Sequence, residues 1–158
     1  GLKRRTPQNI VIGGAAGAFP PLIAWAAVTG NVGLGAIYLF AIVFFWTPPH
    51  FWALALKKRE DYQNAKIPML PCVKGEDETK VQIVYYMLIL IPVTLSIGLW
   101  GHLGFIYFIA ATYLGAVWLY KAYKLMHDKG IDRAMDVFMF SLYYLAFLFA
   151  AMVVDTFI

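Results

Sequence analysis

Long apolar stretches separated by polar connections dominate the chain. Runs of about 20 residues, enough to cross the hydrocarbon core of a bilayer as a helix, lie at positions 9–29, 34–56, 81–100, 103–123 and 134–156. A membrane β-barrel would instead show segments of about ten residues in which apolar and polar positions alternate. The pattern therefore predicts an all-α fold, a polytopic transmembrane bundle to which this chain contributes five helices.

The connections between these stretches differ in length. Those at 30–33 and 101–102 are short and contain glycine, which favours tight helical hairpins. The segment 57–80 is long and polar, and we expect it to form a loop on one face of the membrane. Within it, Thr79 is followed three residues later by Gln82, a spacing that predicts a capping box at the start of the third helix. The whole chain, 1–158, is expected to belong to a single membrane domain.

All lysine and arginine residues fall at one end of the predicted helices. They precede the first helix, occupy 57–80, and cluster between 121 and 133 around the last connection. By the positive-inside rule this end faces the cytoplasm, so the chain starts inside and its C-terminus lies outside. The net charge of +4 is an orientation signal and gives no support for nucleic-acid binding. We expect a bacterial cytoplasmic membrane, with the mitochondrial inner membrane as the alternative.

Composition agrees with a membrane setting and limits the chemistry. The chain is 61% hydrophobic and 14% charged, too apolar for a soluble core of 158 residues to bury. A single cysteine, Cys72, excludes an internal disulfide or a thiolate cluster within this chain. The first residue is glycine and no signal-peptide layout follows, so we expect a piece of a longer protein.

The second predicted helix contains one ionisable residue in an apolar setting. His50 lies in the segment WTPPHFW at 46–52, where two prolines remove backbone donors. Ionisable residues within membrane spans usually face a cavity or another polar group. A functional histidine and a hydrogen-bonded packing histidine are both compatible with this pattern. His102 and His127 fall in predicted connections, where we expect ordinary surface residues.

The segment after that helix, KKREDYQNAK at 57–66, combines cations and carboxylates at the membrane surface. A magnesium ion bound to a diphosphate takes one or two carboxylate oxygens and water, while lysine and arginine offset the remaining phosphate charge. A solvated loop with screened ion pairs would have the same composition. Spacing alone leaves both interpretations open. Arg133 and Asp136, at the start of the last helix, are expected to form a local ion pair.

Several extended motifs together resemble one family. They are TPQNIVIGGAAGA at 6–18, PPLIAWAAVTG at 20–30, WTPPHFWALAL at 46–56 and IPMLP at 67–71, and the likeness continues through the tail. These motifs resemble the haem O synthases, or protohaem IX farnesyltransferases, of the UbiA-type intramembrane prenyltransferases. The resemblance implies a bundle of nine helices, of which the five here would be the last five.

The resemblance also implies roles for individual residues. Asp61 falls at the family's second acidic motif, where it would hold Mg²⁺ through the diphosphate. Lys57, Lys58 and Arg59 would stabilise the departing diphosphate, with Tyr62 and Lys66 as further diphosphate contacts. His50 would contact haem or handle a proton. A carboxylate four residues before Asp61 is absent, whether Glu60 assists stays open, and the first acidic motif is not in this chain.

The implied reaction transfers a farnesyl group from farnesyl diphosphate to a vinyl group of haem B, giving haem O on the route to haem A. Haem A synthase and terminal-oxidase assembly proteins are implied partners, and no nucleic acid is. The chain alone is expected to be inactive. Alternatives are a prenyltransferase acting on a quinone precursor, a transporter, and a haem-binding membrane subunit. The acidic and basic segment beside the prolines argues against the last two.

Overall fold

The protein is described from a computed structural model that covers residues 6, 8–100 and 103–157, with the backbone alone at Trp100. His102 lies outside the described residues. The described part is all-helical, without a strand. Its helices, in chain order, are α1 (Asn9–Thr29), α2 (Leu34–Lys57), α3 (Arg59–Asn64), α4 (Leu70–Val73), α5 (Glu76–Trp100), α6 (Phe105–His127) and α7 (Ala134–Asp155).

Five of these helices, α1, α2, α5, α6 and α7, are long and apolar enough to cross a bilayer. This confirms the all-α transmembrane fold expected from the hydrophobic pattern. Because consecutive spanning helices run in opposite directions, α2 ends and α5 begins at the same end of the bundle. The connection from α6 to α7 lies there too. We call this end, which carries residues 57–80 and 128–133, the basic face.

The segment 57–80 is more ordered than a loop. It contains the short helices α3 and α4, and α5 begins at Glu76 rather than at position 81. Gly75, whose φ of 89° lies in the left-handed region that glycine adopts readily, separates α4 from α5 together with Lys74. The predicted capping box is therefore wrong, because Thr79 lies inside α5 and donates to the Gly75 carbonyl at 2.7 Å.

The helix α6 also differs from its predicted bounds. It begins at Phe105 and continues to His127, so His127 lies in its last turn rather than in a connection. The hydrophobic pattern did not predict this extension, because the last turn of the helix consists largely of polar residues. At its C-terminal end, His127 Nδ1 lies 3.0 Å from the carbonyl of Tyr123. Lys124 in the same turn carries a positive charge where the helix dipole is negative.

The helix α2 packs against α1, α5 and α7, and α7 packs against α2 and α6. The close approach of α1 depends on Gly14, where an added Cβ would lie 2.9 Å from Thr47 Cγ2. The buried core between the other helices consists mainly of large apolar and aromatic side chains, among them Ile42, Leu56, Met87, Trp118, Tyr144 and Leu148. Their packing fixes the position of the last turn of α2.

Polar side chains connect the helices inside the apolar region. The hydroxyl of Tyr144 on α7 lies 2.8 Å from Thr94 Oγ1 on α5, and the Tyr107 hydroxyl donates to the Thr94 carbonyl at 2.7 Å. Trp118 Nε1 donates to the Val137 carbonyl at 3.1 Å. Since no water is available in hydrocarbon, such groups are satisfied between helices. These bonds set the rotation of α7 against α5 and α6.

A buried lysine connects α5 to the end of α6. Lys80 is 1% exposed, and its Nζ donates to the Asp128 carbonyl at 2.9 Å and lies 3.5 Å from Asp77 Oδ1. The ammonium thus satisfies a carbonyl at the C-terminal end of α6, where the helix dipole favours a cation.

The ion pairs beside the α6 to α7 connection differ from the expected one. Arg133 Nε pairs with Asp128 at 3.3 Å, and Asp136 pairs with Lys121 at 2.7 Å. The predicted pair between Arg133 and Asp136 is therefore wrong. The reason is that α6 runs antiparallel to α7 and brings Lys121 beside Asp136, while the turn brings Asp128 back to Arg133.

We predict that Lys80→Met destabilises the protein by about 1–3 kcal/mol, because the Asp128 carbonyl loses its buried partner. Thermal unfolding of the purified protein, expressed from its complete gene in detergent, measures the change. The control is Lys129→Met, which removes an exposed lysine from the same face. Equal melting temperatures for the two variants would contradict this role of Lys80.

Candidate active site

A cavity of about 680 Å³ opens on the basic face, between the end of α2, α3 and the starts of α5 and α7. This volume lies within the range of roughly 300–1,000 Å³ that is usual for small-molecule sites. We call its charged lining residues the polar wall and its apolar lining residues the apolar wall. The lining residues are Leu56, Lys57, Lys58, Arg59, Glu60, Asp61, Gln63, Glu76, Ile131 and Met135.

The polar wall of the cavity carries three cations and three carboxylates. Asp61 pairs with Lys58 at 3.3 Å, and both side chains are more than half exposed. Arg59 Nη1 pairs with Glu76 Oε1 at 2.9 Å, which joins α3 to the start of α5. Exposed pairs of this kind contribute little to stability. Their charges are therefore available to a ligand that enters the cavity.

Arg59 has unused hydrogen-bonding capacity in this wall. Its Nε is shielded from solvent and has no hydrogen-bond partner among the described residues. A guanidinium presents several donors in a rigid plane, an arrangement that suits phosphate oxygens. The donor set of the cavity therefore fits an anion that carries several oxygens.

The described residues contain no group of three or more histidine, cysteine or acidic side chains placed to hold a metal ion. A structural metal would require such a cage, but magnesium bound to a phosphate ligand is usually held by one or two carboxylates and water. Asp61 and Glu76, on the same cavity wall, are the residues that suit this second arrangement. The cavity fits a magnesium ion that arrives with its diphosphate.

Two sequence-predicted contacts stand apart from the cavity. Tyr62 and Lys66 are not among its lining residues, although both belong to the segment that covers it. Lys66, two residues after the end of α3, has a left-handed conformation with φ of 53°. The amide of Ile67 donates to the Tyr62 carbonyl and the amide of Lys66 to the Gln63 carbonyl, both at 3.0 Å. This is a Schellman motif, in which glycine is the usual residue at the position of Lys66.

His50 lies away from this cavity, in the interface between α2 and α7. Its ring stacks on Trp46, with centroids 4.2 Å apart, and on Phe138, with centroids 4.6 Å apart. The Ser141 hydroxyl donates to the Phe138 carbonyl, so its oxygen accepts from Nδ1 of His50, 2.6 Å away. This assignment puts the ring proton on Nδ1 and leaves Nε2 as the nitrogen that can contact a ligand.

Cys72 contacts α3 through its thiol. Its thiol on α4 donates to the Arg59 carbonyl at 3.6 Å, a weak contact that connects the two short helices. Burial raises the pKa of the Cys72 thiol, which outweighs the opposing effect of the Arg59 charge. Because the thiolate is the reactive form, this residue is a packing cysteine rather than a nucleophile.

A second, smaller cavity of about 120 Å³ lies between the starts of α1 and α5 and the end of α2. Trp52 lines it and is 3% exposed, and its Nε1 has no hydrogen-bond partner among the described residues. Gln82 and Tyr86 of α5 face the same space. A polar cavity of this size has room for ordered water, which would satisfy the indole.

Sequence reasoning missed four residues at these sites. Glu76 falls in the predicted loop, and the signal that could have placed it is Gly75 followed by three acidic residues, a pattern typical of a helix start. Ser141, the partner of His50, lies 91 residues away, and no local pattern indicates that contact. Ile131 and Met135, which form the apolar wall, were likewise not predicted.

Comparison with known proteins gives one consistent result. Residues 1–152 match the model of the UbiA prenyltransferase family. The protoheme IX farnesyltransferase of Trichodesmium erythraeum is 52% identical over 157 residues, which are 98% of this chain and 48% of that protein. The protoheme IX farnesyltransferases of Saccharophagus degradans and Roseiflexus castenholzii are each 53% identical over 154 residues, which are 98% of this chain. The matched residues are 51% of the Saccharophagus protein and 29% of the Roseiflexus protein.

The chain thus spans about half the length of most of these relatives. No solved structure matches it.

The conformation of Lys66 can be separated from its charge. Both Lys66→Gly and Lys66→Ala remove the ammonium, but only glycine adopts the left-handed conformation without strain, a difference of about 1 kcal/mol. We therefore predict slower amide hydrogen exchange at positions 66 and 67 in the glycine variant than in the alanine variant. Equal exchange in both would show that the turn does not depend on this conformation.

Proposed function

Because the chain belongs to the UbiA prenyltransferase family, we propose that the protein transfers a farnesyl group from farnesyl diphosphate to a vinyl group of haem B, giving haem O. The resemblance seen in the sequence motifs is confirmed by the family match over residues 1–152. The observation that carries the proposal is the cavity on the basic face, whose wall combines Lys57, Lys58 and Arg59 with Asp61 and Glu76. The name shared by the relatives, protoheme IX farnesyltransferase, supports the substrate class.

In this reaction the bond between the farnesyl carbon and the diphosphate oxygen breaks, and a carbon–carbon bond forms to the vinyl group. Water then supplies the hydroxyl and releases a proton. Negative charge develops on the departing diphosphate, and preorganised cations lower the barrier most where such charge develops. Lys57 at the end of α2, the following Lys58, and Arg59 at the start of α3 would supply three positive charges to the diphosphate.

Asp61 would hold the magnesium ion of the diphosphate, with Lys58 turning from Asp61 to a phosphate oxygen as the ligand binds. The ion would supply Lewis-acid stabilisation of the leaving group. Tyr62 and Lys66 would approach the diphosphate from the rim of the cavity. The apolar wall, formed by Leu56, Ile131 and Met135, would keep water away from the reactive farnesyl carbon.

His50 is proposed to contact the haem or to handle the released proton through Nε2. Its support is its position within the apolar region and the bond from Nδ1 to Ser141, which fixes the ring orientation. A ring held between two aromatic side chains is preorganised for such a role. We also propose that the basic face is cytoplasmic, since the sequence pattern assigns every lysine and arginine to that end of the helices.

We predict that Asp61→Asn lowers haem O formation about 100-fold or more, because the leaving group loses its magnesium-holding carboxylate. The measurement is pigment analysis of membranes that contain the protein expressed from its complete gene, with haem B, farnesyl diphosphate and Mg²⁺. The matched control is Asp132→Asn, an exposed aspartate on the same face that does not line the cavity.

The outcomes distinguish the substrate from the reaction. If the wild-type protein makes no haem O but prenylates a quinone precursor, the haem assignment is wrong and the prenyltransferase reaction stands. If it prenylates neither acceptor, the proposed function is wrong. Equal activity of Asp61→Asn and Asp132→Asn would show that the reaction does not depend on the Asp61 carboxylate.

His50 is tested by a pair of variants. In His50→Asn the amide can replace Nδ1 in the bond to Ser141 but nothing replaces Nε2, and we expect activity to fall about 100-fold, as for the loss of a proton-handling group. Ser141→Ala removes the bond and keeps Nε2, so a smaller loss is expected. If both variants retain activity and differ only in melting temperature, His50 is a packing residue.

A further inference from the structure

The start of α5 carries three consecutive carboxylates, and only one of them faces the cavity. Glu76, Asp77 and Glu78 form the first turn of the helix. Glu76 lines the cavity on the basic face. Asp77 is 98% exposed and lies near Lys80, while Glu78 accepts from Gln82 at 3.0 Å and lines the smaller cavity. The three residues therefore share a helix terminus but have separate surroundings.

Glu76 and Asp61 line the same cavity from different helices, α5 and α3. The partner of Glu76, Arg59, comes from the same segment as Asp61, and Arg59 Nη1 lies 2.9 Å from Glu76 Oε1. The pair is about one third exposed, with side-chain exposures of 38% and 33%. A ligand in the cavity can therefore reach this ion pair, although water hydrates it only in part.

Arg59 is the residue in this pair with spare capacity. Its Nε has no partner among the described residues and is shielded from solvent. A diphosphate in the cavity offers several charged oxygens, and Arg59 can exchange one carboxylate oxygen for two phosphate oxygens. Such an exchange would leave the Glu76 carboxylate without its cation, at the edge of an occupied cavity.

A carboxylate released in this way needs a new positive partner. The magnesium ion that accompanies a diphosphate is one such charge, and unlike the lysines of the cavity it accepts one or two carboxylate ligands beside phosphate oxygens and water. The position four residues before Asp61, where a second carboxylate would strengthen the site, is occupied by Lys57. The structure brings a carboxylate to the same cavity from α5 instead.

We propose that Glu76 is, beside Asp61, a second carboxylate that this part of the protein supplies to the magnesium–diphosphate site, and that it holds Arg59 until the diphosphate replaces it. This inference rests on the proposed function, because it assumes that a magnesium–diphosphate occupies the cavity. Glu76 has two successive partners, Arg59 before binding and magnesium after it. Removing its charge is therefore expected to weaken diphosphate binding only when the metal is present.

The test is calorimetric binding of inorganic diphosphate to the purified protein, expressed from its complete gene, with and without Mg²⁺. For Glu76→Gln without Mg²⁺, we expect affinity equal to or higher than that of the wild type, because a competitor for Arg59 is gone. With Mg²⁺, we expect affinity to fall about tenfold, the size of one lost charge-assisted contact. The metal-dependent difference is the signature of the proposed role.

Asp77→Asn and Glu78→Gln are matched controls. Each removes one negative charge from the same helix turn, so each changes the interaction with the helix dipole in the same way as Glu76→Gln. Neither is expected to alter diphosphate affinity in either condition. Glu76→Asp keeps the negative charge at the helix start, so it remains a usable variant if Glu76→Gln does not fold. For Glu76→Asp we expect a smaller loss of affinity, and only in the presence of Mg²⁺.

Each outcome has a separate meaning. If the wild-type protein does not bind magnesium–diphosphate, the proposed function fails and this inference fails with it. If the wild type binds but Glu76→Gln weakens binding equally with and without Mg²⁺, Glu76 only anchors Arg59 and the inference alone is wrong. The inference alone is also wrong if the two control variants lose as much affinity as Glu76→Gln.

Discussion

The packing of α2 against α5 and α7 is the interaction on which the candidate site depends. It brings three spanning helices together through a core of large apolar residues, and it fixes where the last turn of α2 emerges at the basic face. Lys57 ends that turn and Lys58 and Arg59 follow it, so their positions are set by the apolar contacts of the residues just before them, such as Trp52 and Leu56. A loss of packing between these helices would displace the cations without touching them.

Hydrocarbon also constrains the polar groups between the helices. Because an unsatisfied donor or acceptor is costly without water, Thr94, Tyr107 and Tyr144 bond to one another across α5, α6 and α7. Trp46 and His50 form the corresponding connection from α2 to α7, with Trp46 Nε1 donating to the Ser141 carbonyl at 2.9 Å. The histidine thus belongs to the structure of the bundle as well as to the proposed chemistry.

At the basic face, where water is present, weaker interactions are sufficient. The exposed pair of Lys58 with Asp61 and the partly exposed pair of Arg59 with Glu76 place charges where a ligand can reach them. Lys80 differs from these pairs because it is buried and connects α5 to the end of α6. The face therefore combines a buried cation that supports the fold with solvent-accessible charges around the cavity.

The sequence alone determined the spanning helices, the sorting of charge to one end and the segment 57–66, because run length and local composition decide all three. It misplaced the start of α5, since polar residues at a helix terminus give no hydrophobic signal. Only the tertiary structure decided that Glu76 rather than Asp77 faces the cavity, that Asp136 pairs with Lys121, and that Ser141 fixes His50. These contacts depend on how helices far apart in the chain are rotated relative to one another. Packing of the whole bundle sets that rotation, and no local sequence pattern indicates it.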